Sequence, residues 1–336
     1  MSTPVLLIGN FLSGANGTRG VCEELAARLT GDGWPVMTSS TKPARLARLC
    51  DMLGAVVRRR REYDVAHVDV FSGPAFFWGE TVCAALRFCG KPYALTLHGG
   101  NLPTFASRRA GRVRRLLQSA RTVTTPSPYL CEQMKLYRHD LQLLPNAIEL
   151  SSYPFRVRGS VRPALVWLRA FHEIYNPMLA VEVLRQLPEA KLTMVGPDKG
   201  DGTRQHVEET ARGWQVELAG KVAKADVPHW LNRGDIFLNT SEIDNAQVSV
   251  LEAMACGLCV VSTNVGGLPY LLRDGEDALL VPPRDPAAMA AAVRRLLREP
   301  ALAERLSRNG RAKAEAHDWG KVLPAWEALF TSLANC

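Results

Sequence analysis

The feature that most constrains this chain is an alternation of short apolar runs with amphipathic segments, occurring as two series with one break between them. In the first series residues 5–8, 34–38, 64–70, 93–97, 122–125 and 142–144 read as strands, and 21–30, 44–61 and 108–119 as helices. In the second, 164–168, 191–195, 215–219, 236–239, 259–262 and 278–281 read as strands, with helices over 177–186, 225–233, 248–255 and 286–297 and a helical tail from Trp319. Such βα alternation builds parallel sheets covered by helices. Between the series lies SSYPFRVRGSVRP, 151–163, without helical period and with Pro, Gly and Ser, which reads as a linker. A chain of 336 residues suits two domains of about 150 residues. The expected fold class is therefore α/β, two Rossmann-like domains facing a central cleft, over 1–155 and 160–318. Ligands of parallel sheets bind beyond the carboxyl ends of the strands. That places loops 14–17, 98–101, 169–177, 196–202 and 241–248 on the expected cleft.

The formal net charge of +8 suits an anionic partner, whether nucleotide, phospholipid surface or nucleic acid. No uncharged apolar run reaches the length of a membrane span, and MSTPVLLIGNF lacks the basic start and apolar core of a signal peptide. The eight cysteines lie mostly in apolar stretches, which predicts a reduced, cytoplasmic protein. Cys256 and Cys259 form a C-x-x-C, but with no second Cys or His pair, and they read as core. Arg58 to Arg61 are consecutive, and Arg108, Arg112 and Arg115 are spaced to share a helix face. These groups read as a solvated face or as contact with an anionic membrane surface. No aromatics interleave with them for base stacking, so nucleic acid is not expected.

The most informative stretch is LNTSEIDNAQVSVLEAMACGLCVVSTNVGGLPYLL, 238–272. A strand runs into a polar loop, and a helix begins near Val248 or Ser249. A helix N-terminus presents unpaired N–H groups and a positive dipole end, suited to phosphate. Glu252, just inside that helix, either accepts hydrogen bonds from a ribose diol or complements the dipole.

These residues resemble the signature of family 4 glycosyltransferases of the GT-B fold: two acids eight positions apart, an E-A-M-A-x-G helix, an apolar strand and a G-G-x-P turn. Here they are Asp244, Glu252-Ala253-Met254-Ala255-Cys256-Gly257, Val260-Val261 and Gly266-Gly267-Leu268-Pro269. The resemblance spans essentially the whole chain and is strongest over 216–283. It implies that Glu252 binds the ribose and Asp244 the transferred sugar. The family normally has Glu at the position of Asp244, and Glu242 is a nearby substitute. The backbone N–H groups of Gln247, Val248 and Ser249 would cradle the diphosphate. Arg169 matches the Arg of an Arg-x4-Lys pair that neutralises it. The Lys is absent, since Ile174 or Tyr175 stands there, and Lys199 or Lys221 is the expected replacement. Lys221 and Val222 fall in the loop that meets the nucleobase, and His98 matches a histidine that hydrogen-bonds the sugar. Gly17, in the glycine loop 14–20, and Gly196 complete the donor-binding set. The glycine loop reads G-x-x-G-x-x-G with no acid after the second strand, which is wrong for a nicotinamide dinucleotide.

The resemblance implies a retaining glycosyltransferase taking a nucleoside diphosphate sugar as donor and a glycan or lipid-linked acceptor. The terminal helix, 319–336, would pack back on the first domain. Asp198, Asp201 and Asp244 are scattered over loops and the family needs no metal, so neither a metal nor a cofactor is expected. The chain would be cytoplasmic, peripheral on the inner face of the membrane. Two alternatives stand beside this reading: a non-catalytic sugar-nucleotide-binding protein, suggested by Asp244 and the missing Lys, and a sugar-nucleotide epimerase-like enzyme.

Overall fold

The computed structural model describes residues 3–16 and 19–335, so Gly17 lies outside the described residues. The chain forms two compact units, Met1–Asn146 with Gly320–Cys336, and Ala147–Trp319.

The first unit runs β1 (Val5–Ile8), α1 (Ser13–Asn16), α2 (Val21–Gly31), β2 (Val36–Ser39), α3 (Arg45–Arg58), β3 (Val65–Val70), α4 (Ala75–Phe88), β4 (Tyr93–Leu97), α5 (Leu102–Arg108), α6 (Ala110–Ser119), β5 (Thr122–Thr125), α7 (Pro128–Met134) and β6 (Gln142–Leu143). Its six strands are parallel, in the order β2-β1-β3-β4-β5-β6. The inner strands β1 and β4 are buried on both faces and read as near-continuous apolar runs, whereas the edge strands β2 and β6 carry exposed residues. Leu6, Ile8, Val68, Leu95 and Val123 share a core with Met52 of α3, Val82 of α4 and Leu116 of α6. The basic segment 108–119 is not one helix. It breaks at Arg109, whose φ of −136° ends α5 and starts α6, so Arg108 does not share a helix with Arg112 and Arg115.

The second unit runs β7 (Ala164–Leu168), α8 (Pro177–Arg185), β8 (Lys191–Val195), α9 (Thr203–Thr210), β9 (Val216–Gly220), α10 (Val227–Asn232), β10 (Ile236–Asn239), α11 (Val248–Ala255), β11 (Cys259–Thr263), α12 (Leu268–Leu271), β12 (Leu279–Val281), α13 (Pro286–Arg298) and α14 (Pro300–Ala316). The parallel strand order is β12-β11-β10-β7-β8-β9. Successive strand residues feed opposite cores. Leu165, Trp167, Ile236 and Leu238 pack with α8 and α13, whereas Val166, Phe237 and Val260 pack with α10 and α11. Helix α14 lies against α11 so closely that a Cβ at Gly310 would press on Met254.

The stretch 151–163 is no free linker. Fully buried Asp235, just before β10, binds Arg156, receives the Arg162 backbone N–H at 3.0 Å and its Nε at 2.8 Å, and lies 3.4 Å from Arg158 Nε. Three arginines within seven residues of chain thus close on one carboxylate and fix the entry to β7.

The last helix, α15 (Trp319–Ala334), packs on the face of the first sheet opposite α3, α4 and α6. Its Trp326 and Phe330 stack together and meet the His67 ring edge-on, and Glu327 accepts from Trp34 Nε1 at 2.8 Å.

Candidate active site

The polar residues of the second unit converge at the head of α11. Strand β10 delivers Asn239, and the loop after it delivers Ser241, Asp244 and Gln247. Gly266 and Gly267 lie under that loop: a Cβ at either would overlap the carbonyl oxygen of Asp244 or Asn245. Gly196, at φ +152°, does the same for Arg169, because a Cβ there would overlap the Arg169 carbonyl. These glycines set the backbones of the site residues by close approach.

Arg169 Nη2 donates to Asp244 Oδ2 at 2.8 Å, a link across 75 positions of chain. Its guanidinium lies 4.3 Å from the centre of the Tyr175 ring, so one of the two positions where the resemblance expects a lysine is an aromatic platform under the arginine. Gln247 Nε2 donates to Asp244 Oδ2, to Asn239 Oδ1 at 2.8 Å and to Ser241 Oγ at 2.7 Å. Glu242 does not stand in for Asp244. It binds Arg284 and accepts from Asn176 Nδ2 at 3.1 Å, and the Arg284 hydrogen bond holds its carboxyl below the usual range.

Helix α11 starts without a side-chain cap. Around its first turn three buried polar atoms have no partner: Arg169 Nε, Gln247 Oε1 and Ser249 Oγ. Buried polar atoms are almost always satisfied; of the three, Arg169 Nε and Ser249 Oγ can donate, and beside the helix N–H groups they describe a place for an oxyanion-rich ligand, whereas Gln247 Oε1 can only accept.

One turn further along, Glu252 is buried, and its Oε1 is already engaged. It accepts from Tyr153 Oη at 2.6 Å and from Lys224 Nζ. Oε2 takes no hydrogen bond among the described residues. A diol at Glu252 therefore meets one open oxygen, not two. Neither Tyr153 nor Lys224 stood out in the sequence. Lys199 and Lys221, the expected replacement cations, are exposed on their loops, and it is Lys224, in a short turn after β9, that meets the site. The Val222 side chain packs on the core beside α11, and Val248 lies on the first turn of that helix.

Asp198 and Asp201 cap their own loop, accepting the Gly200 and Thr203 N–H groups at 2.8 and 3.0 Å. They do not gather with Asp244. Cys256 and Cys259 are free thiols in the core, and burial pushes each up to about 12.

In the first unit, His98 Nε2 is 2.9 Å from Asp69 Oδ1, and its ring stacks on Phe71 at 5.0 Å. Burial alone would raise the Asp69 carboxyl, but His98 outweighs it and the net shift is downward. The Nδ1 of His98 makes no hydrogen bond with the described residues. Cys22, His67 and Asp69 bring ligand-type atoms within 4.8 Å of one another, yet His67 Nε2 is held by Thr96 at 2.6 Å and Asp69 by His98. Glu23, unremarked in the sequence, grips the glycine loop through the N–H groups of Ser13 and Gly20 at 2.9 and 2.8 Å.

Comparison with known proteins bears on the fold and on the kind of chain this is. Residues 162–299 match the family model described as glycosyl transferases group 1. A D-inositol 3-phosphate glycosyltransferase of Geodermatophilus obscurus is 26% identical over 329 residues, covering 86% of this chain and 72% of that protein. A glycogen synthase of Mycobacterium tuberculosis is 28% identical over 203 residues, covering 57% of this chain and 48% of its own length. Among solved structures, sucrose-phosphate synthase of Thermosynechococcus elongatus superposes with a TM-score of 0.82 at 22% identity, covering 98% of this chain and 99% of that one. Anabaena HepE in complex with UDP-glucose superposes with a TM-score of 0.77 at 16% identity, covering 98% and 100%. The structural likenesses carry the fold. Residues 162–299, which hold every residue of the α11 site except Tyr153, are the part that is similar to the group 1 glycosyl transferases, in a chain with the GT-B fold.

Proposed function

We propose that the chain transfers a sugar from a nucleoside diphosphate sugar, with retention, and that the donor diphosphate lies at the head of α11. The observation that carries this reading is the uncapped helix end with two unpartnered buried donors, Arg169 Nε and Ser249 Oγ. The UDP-glucose bound by HepE supports the donor class. Arg169 and the N–H groups of Val248 and Ser249 supply positive potential to the departing diphosphate, a preorganised field of the kind that dominates group transfer. Glu252 takes the ribose through Oε2, oriented by Tyr153 and Lys224. Val222 and Lys221 flank the base, and Gly196 lets the backbone approach the donor. Asp244 holds Arg169 in place and faces the sugar, and the free Nδ1 of His98 is assigned to a sugar hydroxyl. No metal is assigned, since the cations are the protein's own.

The acceptor is a glycan or lipid-linked molecule of glycoconjugate synthesis, reached from the cytoplasmic side, with Arg58–Arg61 and the Arg108, Arg112 and Arg115 group toward an anionic membrane surface. No described helix is long and apolar enough to cross a membrane. A thermal-shift panel of nucleosides, nucleoside diphosphates and their sugars tests the donor reading. A diphosphate at a hundred times its Kd should stabilise the fold by about 2.7 kcal/mol. Equal shifts with the bare nucleoside, or none with any diphosphate, would overturn it.

A further inference from the structure

Sheet order and crossovers put α3, α4 and α6 side by side on one face of the first unit, with α4 in the middle. The outward side of this layer carries an arrangement that donor chemistry does not use. Leu46, Phe77 and Phe88 are 80%, 53% and 90% exposed. They belong to two stripes of identical spacing. On α3 these are Leu46, Cys50, Leu53 and Val57; on α4, Phe77, Thr81, Ala84 and Phe88; all are exposed or half-buried. Steps of four, three and four keep each stripe on one helix face over about 16 Å. Two packed helices thus present parallel apolar stripes to solvent.

Basic groups flank them. Arg45, Arg58, Arg60 and Arg61 lie on and just beyond α3, and Arg108, Arg109 and Arg115 on the α5–α6 side; apart from half-buried Arg59, the arginines of the 58–61 run and those of the α5–α6 side are open to solvent. The acids nearby are engaged. Glu80 binds Arg112, stitching α6 to α4; Glu62 binds Arg59 at 2.9 Å; Asp51 accepts from Ser39 Oγ at 3.2 Å.

We propose that this face docks on an anionic lipid bilayer, with Phe77 and Phe88 entering the headgroup region and the arginines lying on its charge. An apolar centre with a basic margin is the profile of an interfacial surface. A second copy is a poorer occupant, because a two-fold contact would set arginines against arginines. The proposal deepens the membrane-facing part of the function above by dividing its work: arginines give salt-sensitive capture, and the phenylalanines give a salt-resistant hold.

Co-sedimentation of the full chain with phosphatidylcholine vesicles, with and without about 30% phosphatidylglycerol, at low salt and at about 0.5 M salt, tests this, since a Debye length of about 4 Å in the latter mutes surface charge. Wild type should bind the anionic vesicles at low salt and retain a measurable fraction at high salt. Phe77→Ser with Phe88→Ser should lower high-salt partitioning by at least tenfold, roughly the effect of losing one buried aromatic. Phe88→Trp should keep it. Arg58, Arg60 and Arg61 changed together to Ser should lose low-salt capture. All variants should keep the wild-type melting temperature and nucleotide shift, which separates failure here from failure of the donor reading. No vesicle binding, equal binding by the double Phe variant, or a concentration-dependent dimer abolished by that variant would each overturn the proposal.

Discussion

Replacing Asp235 by Asn tests the electrostatic account of the second unit most sharply. The two side chains are nearly isosteric, so the change removes charge without opening a cavity. Burial alone would raise the Asp235 carboxyl, but hydrogen bonds from Arg162 and Arg156 outweigh it and hold it at about 2, against an ordinary value of 3.8. That difference corresponds to about 2.5 kcal/mol of stability. The neutral amide would also strand Arg158, which is fully buried and whose guanidinium burial already pushes down to about 10. Breaking a buried pair in this way costs about 3–5 kcal/mol. In a unit of this size the melting temperature should fall by on the order of 10 °C. Adding Arg158→Met should restore part of the loss, because the stranded charge is gone. The acid limb gives a second reading. A carboxyl whose folded value is depressed stabilises above its unfolded value and loses that contribution as pH falls through the folded one. The gap between wild type and Asp235→Asn, measured by urea titration, should therefore shrink by about 2 kcal/mol between pH 5 and pH 2. A gap that stays constant with pH, or a total cost below about 0.5 kcal/mol, would refute the reasoning.

Glu252→Ala should nearly abolish donor binding, while Glu252→Gln keeps the fold; an unchanged donor Kd in Glu252→Ala, read by calorimetry, counts against the ribose role. Tyr153→Phe leaves Glu252 without one of its two partners and should raise the donor KM several-fold with kcat nearly unchanged, since a hydrogen bond to a charged group contributes about 1.5–3 kcal/mol at most. Chelator should leave turnover intact, and activity lost in chelator and restored by magnesium or manganese would return the carboxylates to consideration as ligands.

The fold was legible where one principle governed a segment. Strands β1, β7 and β10 are short, mostly apolar runs buried on both faces, and nothing else in the sequence competes with that reading. Helix α14 was not legible because much of its buried side is Ala303, Ser307, Gly310 and Ala314, too small to make a stripe, although it braces α11. Helix α4 was hidden by Phe76, Phe77 and Trp78 in succession, which show no helical period. The site divides in the same way. Glu252 could be picked out by its place just inside a helix start, and Arg169, Asp244 and Gln247 by the resemblance. Lys224 and Tyr153 could not, since their partner lies 28 and 99 positions away and only the packing of α11 brings them to it. Glu242 looked available from spacing alone, and Arg284, 42 positions on, had already claimed it.

The return of α15 to the first unit has a consequence for how the chain is made. A ribosome delivers the six strands of the first sheet early, but the helix that covers His67 and Trp34 on one face of that sheet is synthesised only after the whole second unit. At roughly 5–20 residues per second, the second unit takes about 10–35 s to emerge in between. During that interval a nascent first unit displays the apolar, aromatic-binding patch around His67 and Trp34 without its helix, while the second unit folds with all of its own sequence in hand. The order of completion is thus the reverse of the order of synthesis, and a nascent chain stalled anywhere before Trp319 is a natural client for chaperones that recognise exposed sheet faces.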